Sequence, residues 1–160
     1  MIKKIALISL LISSTGHANP ITVDVLGTDN AKTNFGTLVF NDSPYGLVIT
    51  PYLTQLPPGA HGFHFHEHPN CDAHGMAAGS HFDPEKTNTH LGPYASGHLG
   101  DLPVLFVGVD GKASTPLLAP KLTTKQIKGL TVMLHGGGDN YSDKPALGGG
   151  GARIACGVIQ

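Results

Sequence analysis

Residues 61–66 read HGFHFH. Phe63 and Phe65 alternate with His64 and His66, the two-residue period of a β-strand with one face toward a core and one away from it. His61 falls on the phenylalanine side and reads as a buried, braced histidine. The same alternation recurs outward from this stretch, in ITVDVLG (21–27), FGTLVFN (35–41), YGLVITPYL (45–53), PVLFVGV (103–109), a weaker run at 113–118, GLTVML (129–134) and RIACGVI (153–159). Asp110-Gly111 between the fifth and sixth runs is a hairpin signal. No window carries a 3.6-residue apolar period. The best helical candidate is one turn over 123–128, with Thr123 or Thr124 as cap. About eight strands in a single domain predict an all-β fold, an antiparallel sandwich or flattened barrel.

Composition agrees with many turns and short elements: 22 glycines, 12 prolines and only 13% charged residues. A formal net charge of −1 argues against nucleic acid or an anionic membrane as partner. Histidine is the outlier, ten residues in 160. Two segments do not read as strands, 67–101 and 136–152, and connections this long are uncommon in a compact domain unless they have a function.

Residues 1–18 read as a signal peptide. Lys3 and Lys4 precede an apolar run, Ile5 to Ile12, and Gly16-His17-Ala18 supplies small residues for cleavage after Ala18. The run is far shorter than the roughly 20 residues of a spanning helix. The mature domain is then 19–160, exported, with no membrane association after cleavage. In an oxidising compartment two cysteines, Cys71 and Cys156, pair as a disulfide; the alternative is two buried free thiols. Closing a loop of about 85 residues contributes on the order of 4 kcal/mol.

His64 and His66 project from one strand face about 7 Å apart, and two imidazoles so placed can converge on one metal. Alone, H-x-H is a weak signal. His68 precedes Pro69, where the chain leaves the strand, and need not share their site. His135 ends an apolar strand and is placed to join them. The first long connection holds His81, His90, His98 and Asp101, three nitrogens and one oxygen, a set suited to a closed tetrahedral zinc site.

HGFHFH, GSHFDP, His90-x7-His98-LGDLP, VMLHGGGD and GGGGARIACGVI occur in that order. Together they resemble the copper,zinc superoxide dismutases in their bacterial exported form, over nearly the whole mature chain. The resemblance implies a Greek-key, immunoglobulin-like sandwich with two long functional loops, and dismutation of superoxide to O₂ and H₂O₂ as antioxidant defence in the periplasm. It implies one copper and one zinc per subunit: copper on His64, His66, His81 and His135, zinc on His81, His90, His98 and Asp101, with His81 as the bridge. Asp139 matches the carboxylate that links ligands of both metals, Arg153 the catalytic arginine beside copper, and Cys71–Cys156 the disulfide. His68 and His74 match no ligand. Bacterial relatives include monomers and homodimers. The chain departs from many of them between Cys71 and His81, where a lysine- and glutamate-rich insert is replaced by the lysine-free DAHGMAAGS. Lys144, in the second loop, reads as a solvated lysine or as one that adds to steering of the anionic substrate.

Overall fold

A computed structural model describes residues 19–160; the expected signal segment lies outside the described residues. Among the described residues nine strands form: β1 Ile21–Gly27, β2 Asn34–Ser43, β3 Gly46–Leu53, β4 Gly59–His61, β5 Phe63–His66, β6 Leu105–Val107, β7 Leu117–Ala119, β8 Thr131–His135 and β9 Arg153–Val158. Seven of them make one antiparallel sheet in the order β5-β8-β9-β1-β2-β3-β7, and β4 pairs with β6 beside it. The all-β antiparallel expectation holds.

Four local expectations need correction. The HGFHFH run is two strands, not one. At Gly62 the backbone leaves its β6 partner and turns toward β8: its N–H donates to Gly137 O at 2.8 Å, and its carbonyl accepts from His135 N–H at 2.9 Å. A Cβ at Gly62 would lie 3.3 Å from His64 Cε1 and 3.4 Å from His135 Cβ, so the crossing is built for glycine. The turn at Asp110-Gly111 forms, with Gly108 N–H donating to Lys112 O at 2.8 Å and Gly111 at φ 74°. It does not join a hairpin, because β6 pairs with β4 while β7 pairs with β3. The sixth run shrinks to Leu117–Ala119; Pro116, which has no N–H, stands just before it. The single helical turn is α1, Thr124–Ile127, with Thr123 at the cap position. Neither threonine caps it through its own side chain. Asp42 of β2 does so, accepting from Thr124 N–H at 2.6 Å and Thr124 Oγ1 at 2.7 Å.

The core lies inside the curl of the sheet. Phe63 and Phe65 meet Leu38, Phe40, Leu47, Ile49 and Leu102 there, all fully buried. Burial of each large apolar side chain is worth about 1.5–3 kcal/mol, which holds β5 in register. His64 and His66 take the opposite face, as parity requires, and are buried as well.

β5 is an edge strand of the large sheet, and the first long loop covers its open side. Phe65 N–H donates to Gly100 O at 2.9 Å, Phe65 O accepts from Phe82 N–H at 2.8 Å, and isolated bridges join His64 to Asp101 and His66 to His81. The Cys71–Cys156 disulfide, spanning 85 residues with Cα atoms 6.2 Å apart, ties the start of that loop to β9.

Candidate metal centre

β5 supplies His64 and His66, the end of β8 supplies His135, and the covering loop brings His81 alongside His66. One ring nitrogen from each of these four buried histidines lies within 4.8 Å of the others. Each ring has its second nitrogen engaged. His64 Nε2 is 2.7 Å from Asp139 Oδ2, His66 Nδ1–H donates to Gly79 O at 3.0 Å, and His135 Nδ1–H donates to Gly151 O at 3.3 Å. The remaining nitrogens, His64 Nδ1, His66 Nε2, His81 Nε2 and His135 Nε2, have no hydrogen-bond partner although they are buried. Buried unpartnered polar atoms are costly. Four of them converging on one point fit a cation, with the second nitrogens fixing each ring's orientation.

A second set shares His81. The Nδ1 atoms of His81, His90 and His98 lie 3.0, 3.0 and 3.4 Å from Asp101 Oδ1. Nδ1 of His90 and of His98 makes no hydrogen bond despite this closeness. Ligand bonds of about 2.0–2.1 Å in a tetrahedron leave donor atoms roughly 3.3 Å apart, so these separations suit a small ion among the four. His64, His81, His90 and Asp101 each place one donor atom within 4.8 Å of the others. His98 stands just outside this group, at the solvent side, with its side chain 10% exposed. His64 enters that group by stacking on His81, ring centroids 3.9 Å apart, but its Nε2 is already committed to Asp139. The other carboxylate oxygen of Asp101 accepts from Leu91 N–H and Gly92 N–H, each at 3.3 Å.

Asp139 joins the two sets, its Oδ1 lying 2.7 Å from His90 Nε2 while Oδ2 takes His64. Tyr141 N–H donates to Oδ1 at 2.8 Å. The carboxylate fits only because residue 148 is glycine, at φ 71°: a Cβ there would overlap Asp139 Oδ1 and press on His90 Nε2.

Protonation follows the surroundings. Burial holds His64, His66 and His135 down to about 3, 2 and 4, and lowers His81 as well. Their lone pairs are free for a metal at neutral pH. Burial also opposes charge on His90, but the carboxylate of Asp101 close to its Nδ1 and that of Asp139, which accepts from its Nε2, outweigh burial and raise this histidine to about 9. Asp101 and Asp139 resist burial through their histidine partners and sit below the ordinary carboxylate range.

The shifts set the pH dependence of the metal-free chain. His64, His66 and His135 start from 6.5 when unfolded, so the unfolded state takes up protons first and stability falls as pH drops from about 6.5 to about 2. His90 is shifted the other way: its contribution is complete below 6.5 and is lost as pH rises through about 9. Denaturant unfolding in excess chelator should therefore show maximal stability near pH 6.5. A His90→Gln variant should lose the alkaline limb and keep the acid one.

Arg153 opens β9 opposite His135. Its Nη1 donates to Gly75 O and its Nη2 to Gly79 O, both at 2.7 Å. Among the described residues no carboxylate pairs with it, so its charge is oriented without being neutralised. Burial lowers its pKa below the usual guanidinium range, and its charge helps depress His66 and His135. His61 behaves as parity predicts: Nδ1 is 2.8 Å from His135 O and Nε2 is 2.8 Å from Pro57 O. His68, His74 and Lys144 are exposed and stand outside both sets. Sequence reasoning missed the carbonyls of Gly75 and Gly79, which carry no side-chain signal, and Asp143, whose Oδ1 accepts from His90 N–H at 2.9 Å.

A family model described as copper/zinc superoxide dismutase matches residues 34–159. The chain belongs to that family. It is 51% identical to the superoxide dismutase [Cu-Zn] of Legionella pneumophila over 152 residues, covering 95% of this chain and 94% of the relative. The structure is similar to the Cu/Zn superoxide dismutase from Brucella abortus, with a TM-score of 0.83 at 45% identity, covering 89% of this chain and all of that one. It is also similar to the monomeric copper, zinc superoxide dismutase from Salmonella enterica, TM-score 0.78 at 45% identity, over 89% of this chain. The family's two metals, copper and zinc, match the two donor sets in number and chemistry.

Proposed function

We propose that this chain dismutes superoxide with one copper on His64, His66, His81 and His135, and one zinc on His81, His90, His98 and Asp101. The supporting observation is the sorting of the unpartnered buried nitrogens. Four face the first set, two face the second, and His81 presents one nitrogen to each. Four imidazoles suit copper, and three imidazoles with a carboxylate suit zinc. Copper held by the first set would supply the one-electron redox chemistry by which two superoxides and two protons give O₂ and H₂O₂.

The chain's own residues do the rest. Arg153 binds the incoming anion; each terminal nitrogen spends one N–H on a glycine carbonyl and keeps one free. Whenever His81 Nε2 is not engaged by the metal, it could take up a proton and pass it to the reduced oxygen, while Nδ1 stays against Asp101. Burial keeps that ring neutral, with its Nε2 lone pair free. Gly79 O serves two partners, Arg153 Nη2 and His66 Nδ1, so the anion site and a copper ligand share one anchor.

Export completes the reading. Lys3, Lys4, the apolar Ile5–Ile12 run and Gly16-His17-Ala18 support cleavage after Ala18 and antioxidant defence in the periplasm, where the Cys71–Cys156 disulfide is stable. Every donor atom comes from one chain, so the site is complete in a monomer and equally in a homodimer.

The test is superoxide removal by the mature chain loaded with one copper and one zinc. A rate no faster than that of an unrelated copper-binding protein ends the enzyme reading. Arg153→Ala should keep both metals and lose about tenfold or more in rate, roughly 1.4 kcal/mol. An unchanged rate removes Arg153 from the mechanism.

A further inference from the structure

The ladder between β8 and β9 pairs Leu134 with Ala155 and then His135 with Arg153, so Ile154 is an extra residue in a bulge. The bulge is what sets Arg153 opposite a copper-side histidine. Bulges disrupt the local ladder and need other partners for their main-chain groups.

Both carbonyls of this bulge are taken by one residue. Thr28, just past the end of β1, donates its N–H to Ile154 O at 3.1 Å and its hydroxyl to Arg153 O at 2.6 Å. It is 125 residues away in sequence and only 7% exposed. Any residue but proline provides the first bond; only a hydroxyl side chain provides the second here. Among the described residues Thr28 makes no hydrogen bond to any of the metal-site histidines or aspartates.

We propose that Thr28 is a positioning residue for Arg153, holding the arginine's main chain while Gly75 and Gly79 hold its guanidinium. The two clamps come from different parts of the chain: the end of β1, and the loop pinned by the disulfide. Fixing both ends of a flexible side chain sets where its charge sits relative to the metal set. The inference rests on the reading of Arg153 as the anion-binding group.

The experiment uses the full mature chain with both metals, in wild type, Thr28→Val, Thr28→Ala, Thr28→Ser and Arg153→Ala. Readouts are copper and zinc content, superoxide removal, and azide affinity followed by the visible absorption of the copper form. Thr28→Val and Thr28→Ala should keep both metals while azide affinity and rate fall about three- to tenfold. Thr28→Ser should stay near wild type. In an Arg153→Ala background, Thr28→Val should add no further loss, because its effect runs through the arginine. Equal losses in both backgrounds, an unaffected Thr28→Val, or a Thr28→Ser as impaired as Thr28→Val each overturn the proposal. If Arg153→Ala alters neither azide binding nor rate, the reading of Arg153 falls and Thr28's role with it. If Arg153→Ala is impaired and the hydroxyl-free variants are not, Thr28's role alone falls.

Discussion

His135→Ala should reduce superoxide removal to the level of an unrelated copper control while the fold survives. The main chain of His135 has structural duties that alanine keeps: its N–H bonds Gly62 O, its carbonyl faces His61 Nδ1, and it pairs with Arg153. Only the imidazole is lost, and with it one of four converging nitrogens. Circular dichroism should stay that of the parent, and zinc content should hold because His135 belongs only to the first set. Copper should become readily removable by chelator. A variant that removes superoxide at the wild-type rate would show that three histidines suffice.

Asp139→Ala should weaken both metals together. Its carboxylate is 2.7 Å from one histidine of each set, and losing such an orienting partner typically costs about 10–100-fold in metal affinity. Chelator competition, read separately for copper and zinc, is the measurement. Gly148→Ala should reproduce the effect from the other side, because a methyl at a positive-φ position would displace the carboxylate. A loss confined to one metal contradicts the bridging role.

Much of this was legible in the residues because strand periodicity needs no tertiary information. Parity along 61–66 separated His61 from His64 and His66, and the structure keeps that separation although the strand breaks at Gly62. The break itself depends on β8 pulling Gly62 away from β6, a partner choice that no local pattern encodes. The same holds for Asp110-Gly111: a sound turn signal says that the chain reverses, not which strand it then joins. Thr123 looked like a cap from its neighbours, but the cap came from Asp42, 82 residues away. Thr28 was invisible for the same reason. A threonine ending a strand has no distinctive pattern until the fold brings Arg153 to it.

The coverage of β5 gives the metals a second consequence. An uncovered edge strand is a template for another chain, and proteins usually blunt such edges with charge, proline or short length. β5 is short, at four residues, but carries no charged side chain and no proline; its sequence is FHFH. Its cover is the loop that carries His81, His90, His98 and Asp101, joined to it at Phe63, His64, Phe65 and His66. An ion that fastens this loop also acts as a guard against intermolecular strand pairing. Stripping metal with a chelator should therefore raise this protein's tendency to aggregate, read by light scattering.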